Sequence, residues 1–152
     1  MEFYNSDSLY YIFGEVIKLH YYRAHKSLEK VGLYPGQPQL LFSLLKKDGQ
    51  SQKELSGKLK VKPATITVMI KRMEKAGLIY RKSDEEDQRI SRVYLTDKGK
   101  EVSGEVKELF KTINKECFSN FTDEEQVILR RLLLQIKENL KIGLEDEKSN
   151  KL

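Results

Sequence analysis

The sequence of 152 residues lacks the side chains that several classes of protein require. It has no tryptophan and a single cysteine, Cys117. One cysteine excludes an internal disulfide framework and fits a reducing cytosol. The two histidines, His20 and His25, stand apart from any cysteine or carboxylate cluster at metal-ligand spacing, which argues against a zinc site. We therefore expect neither a bound metal nor a cofactor.

Long apolar runs and catalytic motifs are missing as well. No run approaches the roughly 18 residues that a membrane-spanning helix needs, and no signal-peptide pattern opens the chain. The sequence contains no Ser/His/Asp constellation and no phosphate-binding loop of the kinds that enzymes use. These features predict a cytoplasmic protein that is neither an enzyme nor a membrane protein.

Charge is abundant, and its positive excess is concentrated in the middle of the chain. Charged residues make up 34% of the sequence, and the formal net charge is +5. Residues 51–95 carry eleven basic and six acidic side chains, whereas residues 1–50 and 96–152 each lie within one charge of neutrality. A basic module between near-neutral flanks indicates a lobe that binds a polyanion. An ordinary solvated surface is the alternative interpretation.

The segment 62–77 within this module is predicted to be a short amphipathic helix. Pro63 suits its first position, and Gly77 suits the left-handed residue that follows its last turn. One apolar stripe at helical spacing would face a core and consists of Ile66, Met69, Ile70 and Met73. The opposite side is basic, with small and hydroxylated residues near its beginning. Such a face is suited to a DNA groove, although for the helix in isolation an ordinary solvated face is the favoured interpretation.

A helix just before this segment completes a helix-turn-helix. Ser51-Gln52-Lys53-Glu54 is a capping box, in which the serine side chain and the glutamate side chain satisfy each other's backbone N–H groups. After a short helix, Lys60-Val61 would make the tight turn into the second, recognition helix. Lys62 would then occupy the N-cap position, where Ser, Thr, Asp or Asn is better by roughly 1 kcal/mol. A lysine at that position is well placed to meet a phosphate.

After Gly77 the pattern changes from helical spacing to strand alternation. Residues 78–82 and 90–95 are predicted to pair as a β-hairpin, which makes the whole module a winged helix. Arg89 and Arg92 are placed on the returning strand, and Asp87 is placed to hold the Arg89 guanidinium by a forked hydrogen bond. That orientation would prepare Arg89 for a narrow minor groove. A surface salt bridge worth at most about 1 kcal/mol is the alternative.

Further helices with apolar stripes flank the winged helix. They are predicted from Ser8 to about Lys30, from Pro38 to about Lys47, from Thr96 to about Phe118, and from a second capping box at Thr122 onward. The predicted divisions are 1–36 for an N-terminal dimerisation helix, 37–98 for the winged-helix lobe, 99–145 for C-terminal dimerisation helices, and 146–152 for a frayed tail. The long stripes exceed what one small core can cover, so two-fold pairing of chains is expected to bury them. Cys117 lies on such a stripe beside phenylalanines and is predicted to be a buried, inert thiol, with a redox-sensing thiol as the alternative.

The motifs together resemble those of the MarR family of bacterial transcriptional regulators over nearly the whole chain. The matching segments are 61–67 (VKPATIT), 74–79 (EKAGLI), 84–89 (DEEDQR) and 93–99 (VYLTDKG). An acidic and basic wing followed by Leu-Thr-x-x-Gly is a fairly specific combination. The family usually has two adjacent basic residues at the wing tip, where this chain has Gln88-Arg89, so weaker wing binding is expected.

The resemblance implies a mainly α fold with a small β-hairpin wing, in which a winged helix-turn-helix lobe joins a helical dimerisation lobe built from N- and C-terminal helices. It also implies a homodimer that binds a pseudo-palindromic operator in double-stranded DNA and acts as a repressor. The expected DNA-binding residues are Ser51, Gln52, Lys62, Ala64, Thr65, Thr67, Lys71, Arg89 and Arg92. Thr65 and Thr67 are assigned to base edges or thymine methyls. The two recognition-helix lysines, and Ser51 with Gln52 at the start of the preceding helix, are assigned to phosphates.

Many members of the family are released from DNA by small phenolic or aromatic ligands. By resemblance, a pocket for such an effector would be lined by His20, Tyr21, Tyr34 and Phe42, which fit aromatic core packing equally well. A different function also stays open for the winged helix. It would then be a protein-interaction module that docks an acidic partner without sequence-specific DNA binding.

Overall fold

The computed structural model describes residues 5–149, with the side chains of residues 5–147. Its elements are α1 (Leu9–Glu29), α2 (Gln37–Lys46), β1 (Gln50–Ser51), α3 (Gln52–Leu59), α4 (Pro63–Lys75), β2 (Ile79–Ser83), β3 (Ser91–Leu95), α5 (Asp97–Phe118) and α6 (Asp123–Ser149). The predicted fold class, mainly α with a small β-hairpin wing, is confirmed. The chain forms two compact units, one ending at Ile113 and the other beginning at Asn114.

The core of the first unit is made by one face of each short helix together with the wing strands. The fully buried apolar side chains include Leu40, Leu41, Leu44, Leu55, Ile66, Ile70, Met73, Ile79, Val93 and Val106. Removing this apolar surface from water is the main force that holds the elements together. The stripe predicted for the recognition helix is confirmed, since Met69 is partly buried and the other three members are fully buried. The rest of α4 is therefore free to face outward.

Local sequence signals set the ends of the two helices of the helix-turn-helix. The Ser51 side chain accepts from the Glu54 N–H at 3.1 Å, and the Glu54 carboxylate accepts from the Ser51 N–H at 2.7 Å. This confirms the capping box that starts α3. The turn that follows places Lys60 in the left-handed region (φ 52°), and Pro63 begins α4. Gly77, at φ 73°, ends α4 as the sequence predicted.

The wing belongs to a three-stranded antiparallel sheet in the order β1-β3-β2. Strand β1, which the sequence analysis missed, pairs Gln50 with Val93 and Ser51 with Arg92. Gly49 makes this approach feasible because its φ is 68°, and a Cβ added there would lie 2.8 Å from the ring of Tyr94. The short strand ties the start of α3 directly to the wing.

The Leu-Thr-x-x-Gly motif closes the other end of the wing. The Thr96 hydroxyl donates to the Gly77 carbonyl at 2.6 Å and accepts from the Gly99 N–H at 3.0 Å, so it caps α5 and anchors it to the end of α4. A Cβ on Gly99 would lie 2.0 Å from the Leu78 carbonyl oxygen. Only glycine fits this contact, which fixes how the chain leaves the wing.

Helix α6 begins at the predicted second capping box. The Thr122 N–H donates to the Glu125 carboxylate at 2.9 Å, and the Glu125 N–H donates to the Thr122 hydroxyl at 3.2 Å. The helix continues to Ser149, so residues 146–149 are helical, and fraying of the tail 146–152 stays a prediction. Residues 145–149 contain neither glycine nor proline and include helix-favouring glutamates, which explains the extension. Residues 150–152 lie outside the described part of the chain.

Large apolar faces of α1 and α6 are exposed in the single chain. On α1 they include Leu9, Val16, Ile17 and Leu19, and on α6 they include Val127, Leu133, Leu140 and Leu144. Cys117 is also exposed, so the prediction of a buried thiol is wrong for the single chain. Cys117 belongs to the second unit and is not a member of the core cluster of the first, which explains the difference.

Candidate nucleic-acid interface

The outward face of α4 carries most of the residues that the sequence assigned to DNA. Five of them, Lys62, Ala64, Thr65, Thr67 and Lys71, are exposed. The N-cap Lys62 makes no side-chain capping hydrogen bond, and the first turn contains no acidic residue. The helix therefore begins with unneutralised partial positive charge beside a lysine, an arrangement that favours phosphate.

Val68, which was not predicted from the sequence to contact DNA, lies on the same face. Its side chain is 50% exposed, one turn after Ala64 and about one turn before Lys71. An exposed apolar side chain between small and basic residues suits a contact with a thymine methyl. Its spacing relative to Ala64 and Lys71 indicates the outward face of α4. Its apolar side chain, however, is more typical of the core, so the sequence did not single it out.

The start of α3 lies against this face of α4. The Gln52 side-chain amide donates to the Thr67 hydroxyl, and that hydroxyl donates to the Pro63 carbonyl at 2.9 Å. Ser51, by contrast, uses its side-chain oxygen to cap α3. The structure thus joins two residues, Gln52 and Thr67, that the sequence analysis assigned to separate contacts.

Arg89 projects from the tip of the wing. Its Nε and Nη2 donate to the two carboxylate oxygens of Asp87 at 3.0 and 3.1 Å, which confirms the forked pair. The Arg89 side chain is 90% exposed, so it is oriented without being covered. Arg89 lies in the turn between residues 84 and 90, so its predicted position on the returning strand is wrong. The reason is that this acidic turn closes at Ser91, where β3 begins.

Asp84 organises that turn. Its Oδ1 accepts the backbone N–H groups of Glu86 and Asp87, both at 2.9 Å, and its Oδ2 accepts from the Nε of Arg92. The Asp87 N–H contributes most, and Arg92 next, to lowering the pKa of Asp84 to about 2. Asp84 is therefore ionised at neutral pH, and its carboxylate accepts hydrogen bonds from other residues of the wing.

Arg92 connects the wing to α3. Besides Asp84, it donates through Nη1 to the Gly49 carbonyl at 3.0 Å, and the same nitrogen lies 3.6 Å from the Glu54 carboxylate. The side chain is 32% exposed. Contact of Arg92 with DNA stays a prediction. The contacts that Arg92 makes within the protein connect the wing to α3, and we call this connection a brace.

A second brace connects the wing to α4. Arg81 on β2 donates through Nε and Nη2 to the two carboxylate oxygens of Glu74 at 3.2 and 2.8 Å. This bidentate geometry fixes orientation as well as distance. Each helix of the helix-turn-helix is therefore held to the wing by an arginine.

The four residues expected to line an effector pocket have different surroundings. Tyr21 stacks on His25, with ring centroids 6.3 Å apart, and His20 is exposed. Phe42 packs edge-on against Phe110 at 6.1 Å. Tyr34 lies under the Arg72 guanidinium, and the two cavities along Tyr34 include none of the other three. Their grouping into one pocket stays a prediction.

The described residues contain no group of three or more side chains suited to hold a metal ion. Between residues 5 and 149, no helix combines the length and the apolar character that crossing a bilayer requires.

Comparison with known proteins agrees with this geometry. A family model described as "MarR family" matches residues 33–91. The chain is 34% identical over 88 residues to the HTH-type transcriptional regulator YsmB of Bacillus subtilis, a match covering 58% of this chain and 60% of that protein. It is 31% identical over 125 residues to the HTH-type transcriptional repressor MdtR of the same organism, covering 82% and 79%.

A solved structure is similar over a larger share of the chain. It is a MarR-like transcription regulator from Bacillus cereus, with 32% identity and a TM-score of 0.76. The match covers 90% of this chain and 98% of that one.

Proposed function

Because the chain belongs to the MarR family of transcriptional regulators, we propose that it binds a pseudo-palindromic operator in double-stranded DNA as a homodimer and represses transcription. The observation that carries this proposal is the exposed face of α4 beside a wing whose Arg89 is held in position by Asp87. A recognition helix followed by a wing is suited to a major groove and the neighbouring minor groove.

On the recognition helix, small and charged residues have different tasks. Ala64 and Thr65 are short enough to let the start of α4 approach base edges, and Val68 offers an apolar contact to a thymine methyl. Lys62 and Lys71 bind phosphates, which set the register without reading sequence. The wing adds Arg89, whose guanidinium enters a narrow minor groove where negative potential is strongest.

Dimerisation is supported by the exposed apolar faces of α1 and α6. Side chains such as Leu9 (88% exposed) and Val127 (69% exposed) would leave water if two copies paired. Large exposed apolar patches are characteristic of protein interfaces. Two-fold pairing would present two copies of α4 to successive major grooves roughly 34 Å apart, as a pseudo-palindromic site requires.

Repression follows if the operator overlaps a promoter, because the bound dimer then excludes the transcription machinery. The relative MdtR is a transcriptional repressor, which supports this direction. Cytoplasmic location is part of the same proposal, since the DNA that such a regulator controls lies there.

Selection of bound duplexes from a random library tests the proposal. We expect an inverted repeat to be enriched and to bind about a thousandfold more tightly than a scrambled duplex of equal length. Affinity should fall steeply between 50 and 200 mM salt, as for other proteins that contact several phosphates. If no duplex is preferred over random sequence, the wing and α4 serve another purpose, and an acidic protein partner becomes the better explanation.

A further inference from the structure

The hydroxyl of Thr67 has its hydrogen-bonding directions fixed by its own helix. Its Oγ1 donates to the carbonyl of Pro63, four residues earlier, at 2.9 Å. A threonine hydroxyl has a single proton, so once that proton is directed at Pro63 the oxygen acts only as an acceptor toward any other partner. Its neighbour across the α3–α4 junction must therefore be a donor.

That neighbour is the carboxamide of Gln52. Only the nitrogen end of a glutamine side chain donates, so Nε2 faces Thr67 and the carbonyl Oε1 faces the other way. The bond uses one of the two N–H groups. An acceptor and a donor side by side, Oε1 and the second N–H, are left for another partner.

We infer that Gln52 is a specificity-determining residue, and that its carboxamide, held by Thr67, reads adenine in the major groove. The inference rests on the proposed binding of duplex DNA. Adenine presents an acceptor, N7, next to a donor, the N6 amino group, and so matches the two free groups of Gln52. Guanine presents two acceptors at the same edge, so one of them would face Oε1, which is also an acceptor.

The same polarity argues against the phosphate contact that the sequence suggested for Gln52. Phosphate oxygens are acceptors only, so a phosphate could pair with the second N–H but would leave Oε1 without a donor, whereas adenine pairs with both groups. Gln52 also lies beside the outward face of α4 through its bond to Thr67, which places it next to the proposed base-reading residues. A base edge therefore fits both the position and the polarity of the side chain.

Repeating the duplex selection with variants tests the inference. For Gln52→Ala, we expect the preference for adenine at one position of each half-site to fall by about tenfold while the other positions keep theirs. Gln52→Glu has acceptors only, and we expect it to change that preference to cytosine, whose N4 amino group is a donor. Thr67→Val removes the hydroxyl that orients Gln52 and should weaken the same adenine preference, whereas Thr67→Ser should keep it.

Lys53→Ala, a neighbouring exposed change on α3, is the matched control and should leave base preferences as in the wild type. If Gln52→Ala keeps the base preferences of the wild type and binds all duplexes equally more weakly, this inference is overturned. The proposed function would then still stand. Failure of the wild type to enrich any sequence overturns both. Circular dichroism of each variant establishes that it is folded.

Discussion

Two arginines of the wing, Arg89 and Arg92, differ in their hydrogen-bond partners and in their exposure to solvent. Arg92 directs donors to Asp84 and to the Gly49 carbonyl, both within the protein. Arg89 is held by one carboxylate and is otherwise open to solvent. Two similar side chains three residues apart therefore have different surroundings, which the charge pattern alone does not distinguish.

Removing the exposed arginine should affect DNA binding more than folding. We expect Arg89→Ala to weaken binding to the selected operator about tenfold or more, because a minor-groove contact is lost. Arg89→Lys should restore little, since lysine cannot make the forked bond to Asp87. Fluorescence anisotropy with labelled operator measures the effect, and Lys107→Ala on α5 is the control. Unchanged affinity of Arg89→Ala would show that the wing stays clear of DNA.

Two changes on α4 should separate base reading from phosphate binding. Thr65→Ala should reduce the difference in affinity between the operator and its single-base variants, by about 1–3 kcal/mol at one position. Lys71→Ala should weaken all duplexes alike and lower the salt slope by about one unit. Competition binding over a panel of duplexes measures both. A loss restricted to one sequence in Lys71→Ala would contradict its assignment to phosphate.

The low pKa of Asp84 makes the wing sensitive to acid. Because the folded-state pKa, about 2, lies below the ordinary value of 3.8, the network stabilises the fold fully above about pH 4 and loses that contribution as the pH falls toward 2. NMR titration of the Asp84 carboxyl should give a pKa of about 2. In Arg92→Met the pKa should rise yet stay below 3.8, because the Asp87 N–H is the larger cause. A pKa near 3.8 in the wild type would contradict the hydrogen-bonded turn.

Among the elements, the wing is distinctive in being held to both helices of the helix-turn-helix. Arg81 joins β2 to α4 through Glu74, and Arg92 joins β3 to α3 through Glu54. Exposed pairs of this kind contribute little to global stability. Their bidentate or multiple geometry instead fixes where the wing lies relative to α4, and the proposed binding of two neighbouring grooves would depend on that placement.

Glu54 serves both the capping box and the Arg92 brace, and one substitution separates these roles. In Glu54→Gln the capping box survives, since glutamine also serves at that position, while the charge facing Arg92 is lost. We expect a nearly unchanged melting temperature, faster amide hydrogen exchange over residues 84–92, and operator affinity several times weaker. Glu54→Ala is the comparison variant and should also lose about 1 kcal/mol of stability with the cap. Equal exchange rates in Glu54→Gln and wild type would contradict the brace.

The helices could be predicted because their ends depend on nearby residues. Ser51 with Glu54, Thr122 with Glu125, Pro63 and Gly77 each act within a few positions of the chain. Strand β1 could not be predicted because two residues carry no alternation and its pairing depends on Val93, more than forty residues away. The bond between Gln52 and Thr67 escaped prediction for the same reason, since it joins two helices.

For the whole molecule, the single chain leaves the apolar faces of α1 and α6 in water. In the proposed homodimer, burial of these faces between two copies would give the two winged helices a defined separation. Specificity for a pseudo-palindrome would then depend on the distance between the two α4 helices as much as on their side chains.

The affinity for operators with altered half-site spacing shows whether two copies of α4 bind at a fixed distance. Inserting five base pairs between the half-sites keeps both sequences but turns one by about half a helical turn to the opposite side of the duplex. We predict that binding falls to the level of scrambled DNA, roughly a thousandfold weaker. Equal affinity for the two spacings would contradict a dimer that presents both recognition helices at a fixed distance.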